Sequence, residues 1–189
     1  QEFPSASPDG RYMAWFDRGL QIREIAPEAW GAVGGEYVDE DDDKAIKAYA
    51  KRTASFDFFE FYRATFSPDS SRLVATGPED FAGELRMAQG LTFNGDGYNW
   101  AQLLVGTIDA QGKRLEVDWE PIPGTLRARE SAWSPDGASI AFSRYGNGTH
   151  NLWTVAPDGS ELHQLTFFDD GTQVQGISWL PSGDRLLVS

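Results

Sequence analysis

Short apolar runs separated by tight polar turns recur along this chain, and four of them share one layout. In the clearest, Ala132-Trp133 and Ile140-Ala141-Phe142 flank Ser134-Pro135-Asp136-Gly137. Pro135 presets φ for the second position of a type I turn, Asp136 can bond its own backbone, and Gly137 accepts the left-handed conformation that follows. The pattern predicts two antiparallel strands joined as a hairpin. Ser7-Pro8-Asp9-Gly10 leads to Met13-Ala14-Trp15, and Ser67-Pro68-Asp69-Ser70 leads to Leu73-Val74-Ala75, with the same offset. Leu180-Pro181-Ser182-Gly183 follows Trp179 and leads to Leu186-Leu187-Val188. In the second copy Ser70 stands where the turn glycine belongs, and in the fourth Ser182 replaces the aspartate. Both departures are expected to alter the turn without changing the unit around it.

The four turns start 60, 67 and 46 residues apart, and the shortest spacing sets the unit. Within it, Asn151–Val155 reads as a third strand, Pro157-Asp158-Gly159-Ser160 as another turn and Leu162–Thr166 as a fourth strand. Four antiparallel strands in about 46 residues is the period of a propeller blade. The string from Trp133 to Ser143, then Gly146–Ser160 and Gln164-Leu165-Thr166, resembles the WD40-like (PD40) repeat of the TolB-type β-propellers, specifically in the third copy and partially in the others. The resemblance implies an all-β fold: a β-propeller segment of four-stranded antiparallel blades, about three and a half of them. The blades run from about 1 to 54, 55 to 121 and 122 to 167, with a partial fourth from 168 to 189.

The longer units carry their extra residues in different places. Counting back from each inner strand puts a fourth strand at Leu115–Trp119 in the second unit and at Ala48–Arg52 in the first. The second unit's insertion then lies around Gly77–Asn99, between its second and third strands. The first unit's lies around Pro27–Lys44, between its third and fourth. Successive strands run in opposite directions, so these insertions are expected on opposite faces. Asp41–Arg52 also reads as a short helix, capped by Asp42 or Asp43 with Ile46, Tyr49 and Ala50 on one face. In that case the first blade's outer strand comes from elsewhere.

Composition agrees with many short strands: 13% of residues are aromatic, and there are 20 glycines and 10 prolines. The net charge of −13 and the lack of any Lys/Arg run longer than a pair argue against nucleic acid and anionic membrane surfaces as partners. No run of 18 apolar residues is present, so no membrane insertion is expected. The chain has no cysteine, which excludes disulfides, thiol catalysis and thiolate metal sites.

Candidate chemistry is sparse. Asp9, Asp69 and Asp136 form an acidic series, but their repetition in successive units assigns them to turns, with Pro8, Gly10, Pro68, Pro135, Gly137, Pro181 and Gly183 as their structural partners. Asp39–Asp43 lacks the alternating spacing and glycine of a calcium loop, and Asn94–Asn99 lacks a closing bidentate glutamate. His150 and His163 are the only histidines, and no G-x-S-x-G elbow occurs. No cofactor, metal or catalytic residue is assigned. Phe56–Tyr62 is expected to supply the second blade's inner strand and its approach, packed between blades, rather than an exposed lip for sugar or peptide. Phe167-Phe168-Asp169-Asp170 stands at the matching place and is expected to pack likewise. Asn147-Gly148-Thr149 matches a glycosylation sequon, meaningful only in a eukaryotic secretory setting.

Function is expected to reside in loops. Trp30 and Tyr37 in the first insertion, and Asp80, Phe81, Asn94, Asp96, Tyr98 and Trp100 in and beside the second, are the candidate binding residues. The leading expectation, from the resemblance, is a non-enzymatic binding or scaffold domain that presents loops to a protein or glycan partner in the bacterial periplasm or outside the cell. The alternative is the substrate-gating propeller of a prolyl-oligopeptidase-type serine peptidase whose catalytic domain lies outside this chain. Three and a half blades leave strand edges open, so the sequence predicts part of a longer propeller, self-association, or another chain completing the ring.

Overall fold

The computed structural model describes residues 4–16, 19–25, 52–56, 64–78, 101–112 and 114–189. Within them the chain forms fourteen strands and no helix. The first sheet has the order β1 (Ser5–Ala6), β2 (Tyr12–Phe16), β3 (Leu20–Glu24), β4 (Thr53–Phe56). The second follows as β5 (Ala64–Phe66), β6 (Arg72–Pro78), β7 (Ala101–Asp109), β8 (Glu116–Pro121). The third is β9 (Ala128–Trp133), β10 (Ile140–Gly146), β11 (Thr149–Val155), β12 (His163–Gln164). β13 (Ile177–Trp179) and β14 (Leu186–Val188) pair as a fourth sheet of two strands. Every pairing is antiparallel between neighbours in sequence. The chain is a β-propeller segment of three four-stranded blades and the first two strands of a fourth.

The four predicted hairpins all form, and the turn chemistry shows why. The amide of Gly10, Ser70, Gly137 or Gly183 donates to the carbonyl three residues before it, each at 2.9 Å. All four residues have φ between 62° and 74°, the left-handed region that favours glycine. Ser70 thus keeps the turn of the other copies despite its side chain. In the first three turns the aspartate Oδ1 accepts the hydroxyl of Ser7, Ser67 or Ser134 at 2.5–2.6 Å. It also accepts the amide two residues on, that of Arg11, Ser71 or Ala138. For Asp69 and Asp136 the serine hydroxyl is the largest influence, and it holds the carboxyl below its ordinary value. The repeated aspartates thus each bond within their own turns.

Apolar side chains from adjacent blades meet in three layers. Tyr12, Ala14, Leu20, Ile22, Phe66, Leu73 and Leu104 fill the first, between blades one and two. Val74, Leu103, Trp133, Ile140 and Phe142 fill the second, and Ala141, Leu152, Val174 and Ile177 the third. At the outer edge Trp119 lies across Gly106, its cross-strand partner, and meets Phe56 edge to face at 5.6 Å.

Some boundaries differ from the sequence reading. The first blade's outer strand is Thr53–Phe56, which pairs with Leu20–Arg23, so it follows Ala48–Arg52 instead of coinciding with it. Residues 41–51 of the proposed helix lie outside the described residues. Phe56 belongs to that outer strand; the second blade's inner strand starts at Ala64, and 57–63 lie outside the described residues. Phe167 and Phe168 do not pack as expected: they are 78% and 43% exposed, on the connector between β12 and β13.

Candidate functional site: a cleft between three inner strands

The Ser-Pro turns define one end of the molecule; at the other, β2, β6 and β10 end and β3, β7 and β11 begin. At the turn end, the inner strands β5, β9 and β13 and the turns beside them enclose a cleft of about 360 Å³. Pro8, Pro68 and Pro135 stand at its rim, contributed by three successive turns. Each proline is exposed because its turn projects it past the end of the strands.

Trp133 and Trp179 form the walls, and a repeated bond fixes both. Trp133 Nε1 donates to the Thr65 carbonyl at 3.2 Å, and Trp179 Nε1 donates to the Ala132 carbonyl at 3.1 Å. Trp133 is further held by the Arg72 guanidinium, 4.9 Å from the ring centroid. Phe66, Thr65, Ser131, Ala132, Ile177 and Ser178 complete the lining. Thr65 Oγ1 is buried and has no hydrogen-bond partner among the described residues. None of the lining residues is titratable, so the cleft offers aromatic and proline surface with a few hydroxyls and backbone carbonyls. Such a surface takes up apolar rings and extended chains.

The opposite end is organised by polar anchors, of which the sequence reading singled out His150 but not Thr125 or Asn151. Thr125 Oγ1 donates to the Ile122 carbonyl and accepts the Leu103 amide, and the Arg127 amide donates to the Ala101 carbonyl. His150 is buried; its Nδ1 accepts the Val174 amide at 3.1 Å, and its own amide donates to the Thr172 carbonyl. Burial pushes its pKa down, and the charge of Arg129 acts in the same direction. Asn151 Oδ1 accepts both the Thr166 hydroxyl and the Phe168 amide. These bonds fasten the connector from β12 to β13, and they give His150 a structural place. His163, by contrast, is exposed beside Glu161. A signal existed for Thr125 and Asn151, polar residues bordering strands, but nothing local indicates their partners 22 and 17 residues away. Asn147 and Gly148, with φ of 52° and 80°, form the tight turn between β10 and β11, and Asn147 is exposed.

The flanks of the two insertions stand at opposite ends, as the strand count predicts. Pro78 pairs with Ala101 at the end away from the Ser-Pro turns. Ile25 and Arg52 stand at the turn end: the Ile25 amide donates to the Arg11 carbonyl, and Glu24 pairs with Arg11 and Arg52. Arg52 also donates to the carbonyls of Ala110 and Gly112 in the second blade. Trp30, Tyr37, Asp80, Phe81, Asn94, Asp96, Tyr98 and Trp100 lie outside the described residues, as do Asp39–Asp43 and Asn94–Asn99. Among the described residues no three His, Asp or Glu side chains come together as metal ligands.

Comparison with solved structures agrees on the fold. The chain superimposes on TolB from Acinetobacter baumannii with a TM-score of 0.56 at 13% identity, over 100% of this chain and 37% of that one. It superimposes on the β-propeller domain of Myceliophteria thermophila Cps50 (Swd1) with a TM-score of 0.57 at 14% identity, over 98% of this chain and 47% of that one. For oligogalacturonate lyase from Vibrio parahaemolyticus the TM-score is 0.53 at 15% identity, over 97% and 44%. The chain thus spans less than half the length of each of these proteins. At such identities the likeness is one of fold. No protein-family model and no curated protein matches the sequence.

Proposed function

We propose that this propeller segment is a binding module whose turn-end cleft takes up an extended segment of a protein or glycan partner. The observation that carries this reading is the lining itself: three prolines on one rim, two tryptophans locked in place by backbone bonds, and no acid or base among them. Aromatic and proline surfaces held rigid before binding lose little side-chain entropy when a partner docks. The insertions at 26–51 and 79–100 supply the remaining specificity, with the aromatic and acidic residues named above as its carriers. A location in the periplasm or outside a bacterial cell belongs to the same reading, and the fold shared with TolB is its support.

The test is titration of the protein with proline-rich peptides and with neutral oligosaccharides, followed by tryptophan fluorescence. Binding by either class should shift the emission and should be lost in Trp179→Ala, with Trp15→Ala, remote from the cleft, unaffected. No response to either class, or a response indifferent to Trp179, would overturn the assignment.

A further inference from the structure

The inner strands repeat one pattern from blade to blade, and a place that departs from it stands out. Cross-strand partners share a face of their sheet. Thr65 is paired with Val74 and Ser131 with Phe142, and both partners belong to the apolar layer between blades two and three. Thr65 and Ser131 therefore enter that layer from opposite sides, at its inner edge, where both line the cleft. The same two places hold Ser5 and Ala64 in the first layer, and Ala132 and Ile177 in the third. A pair of hydroxyls meets only in the second, so blade stacking does not require it.

Neither hydroxyl is satisfied. Thr65 Oγ1 is buried with no partner among the described residues, and the Ser131 side chain, on a residue 3% exposed, makes no hydrogen bond among them either. A buried hydroxyl without a partner is a standing cost to the fold, recovered when a matching polar group arrives. The Trp133 indole bonds the Thr65 carbonyl at 3.2 Å and holds that strand in place beforehand. We propose that Thr65 and Ser131 are the specificity-determining residues of the cleft and select a neutral sugar, one hydroxyl of which enters between them. The assignment rests on the cleft being a binding site. A hydroxyl fits because it donates and accepts at once, as each of its two partners does, and because it is small enough for so enclosed a place. A charged group does not fit, since no opposite charge lines the cleft to offset its loss of water. A proline-rich backbone offers carbonyl acceptors alone and leaves the accepting capacity of the pair unused.

The probes are maltohexaose, cellohexaose and mannohexaose, with decaproline as the peptide rival, each titrated by calorimetry into the 189-residue protein and its variants. The expected result is saturable binding of at least one oligosaccharide, lost in Trp179→Ala. Its affinity should fall about fivefold in Thr65→Val and in Ser131→Ala, one hydrogen bond each, and should be kept in Thr65→Ser. Without ligand, Thr65→Val should raise the Tm by about 2–4 °C, because it removes the unpaired hydroxyl and keeps the shape. Oligosaccharide binding that needs Trp179 but ignores both hydroxyls overturns this proposal and leaves the cleft standing as a site. Binding of decaproline alone does the same. Binding by none of the probes overturns both. A Tm unchanged or lowered in Thr65→Val would mean that the hydroxyl costs the free protein nothing, and overturns the proposal as well.

Discussion

The indole nitrogen of Trp179 donates to the carbonyl oxygen of Ala132 at 3.1 Å, tying two inner strands together across a separation of 47 residues. Trp133 makes the same bond to Thr65, one blade earlier. Phe66 fills the corresponding place without an N–H and packs against Tyr12 instead. Ring packing is thus common to the series, and the indole bond is added to it. Trp133→Phe should therefore cost only about 1 kcal/mol, the net worth of one hydrogen bond. Trp133→Ala should cost about 3–5 kcal/mol through the cavity it leaves. Urea unfolding of both variants checks the order, and equal losses would show that the ring contributes little.

Ser70 carries a side chain at φ 62°, where its counterparts are glycines. Its Oγ accepts the Asp9 amide of the preceding turn at 3.1 Å. The residue gives up about 1–2 kcal/mol of backbone preference and gains a bond between turns worth about 1 kcal/mol. Ser70→Gly loses the bond but relieves the strain, so its stability should stay within about 1 kcal/mol of the parent. Ser70→Ala keeps the strain and loses the bond, and should be the less stable of the two. Thermal unfolding of the pair decides it; an alanine variant as stable as the glycine one would remove the strain from the account.

Gly106 is needed for room and not for its φ. A Cβ there would come within 2.7 Å of Val117 Cγ1 and 2.8 Å of two Trp119 ring atoms. Gly106→Ala should destabilise by about 1–3 kcal/mol, as overpacking does. Gly146, with nothing within 4 Å of its Cβ position, is the control. Gly146→Ala should be neutral or stabilising by up to about 1 kcal/mol. Similar losses at both sites in urea titrations would contradict the role given to Trp119.

The fold was legible because its determinants are local and repeated. Pro68, Asp136 and Gly137 specify turns through their own backbones, and the alternation beside them specifies strands. The aromatic positions were harder, because a ring's burial depends on which blade lies against it. Phe56 looked like the start of an inner strand but ends an outer one, paired with Leu20. Phe167 and Phe168 share the letters of that cluster and lie on a connector held by Asn151. The cleft was not legible at all: Pro8, Pro68 and Pro135 were recognised as turn residues, but only the stacking of blades brings their rings to one rim. Strand counting put the second insertion between strands that meet at Pro78 and Ala101, and the first before an outer strand that starts at Thr53 and not at Ala48, since pairing and not spacing fixes where a sheet resumes.

His150 supplies a pH dependence with a definite sign. The residue is 2% exposed, and burial lowers its pKa below 6.5; the Val174 carbonyl, 3.3 Å from Nδ1, opposes the shift and the Arg129 charge adds to it. Below pH 6.5 the unfolded chain takes up a proton that the folded chain refuses until the pH is lower still. Stability from this group is therefore fully present above pH 6.5 and is lost as the pH falls through the folded value. The connector from β12 to β13 should respond first, because Nδ1 accepts the Val174 amide and His150's own amide donates to the Thr172 carbonyl. His150→Gln removes the titration while keeping a side chain able to accept that amide. Its Tm should vary less between pH 7 and pH 5 than that of the parent, with the later, carboxylate-driven loss at lower pH retained by both. Hydrogen exchange at the amides of Val174 and residue 150 over the same range locates the effect. A variant whose Tm declines in parallel with the parent would assign the decline to other groups and leave His150 a packing residue alone.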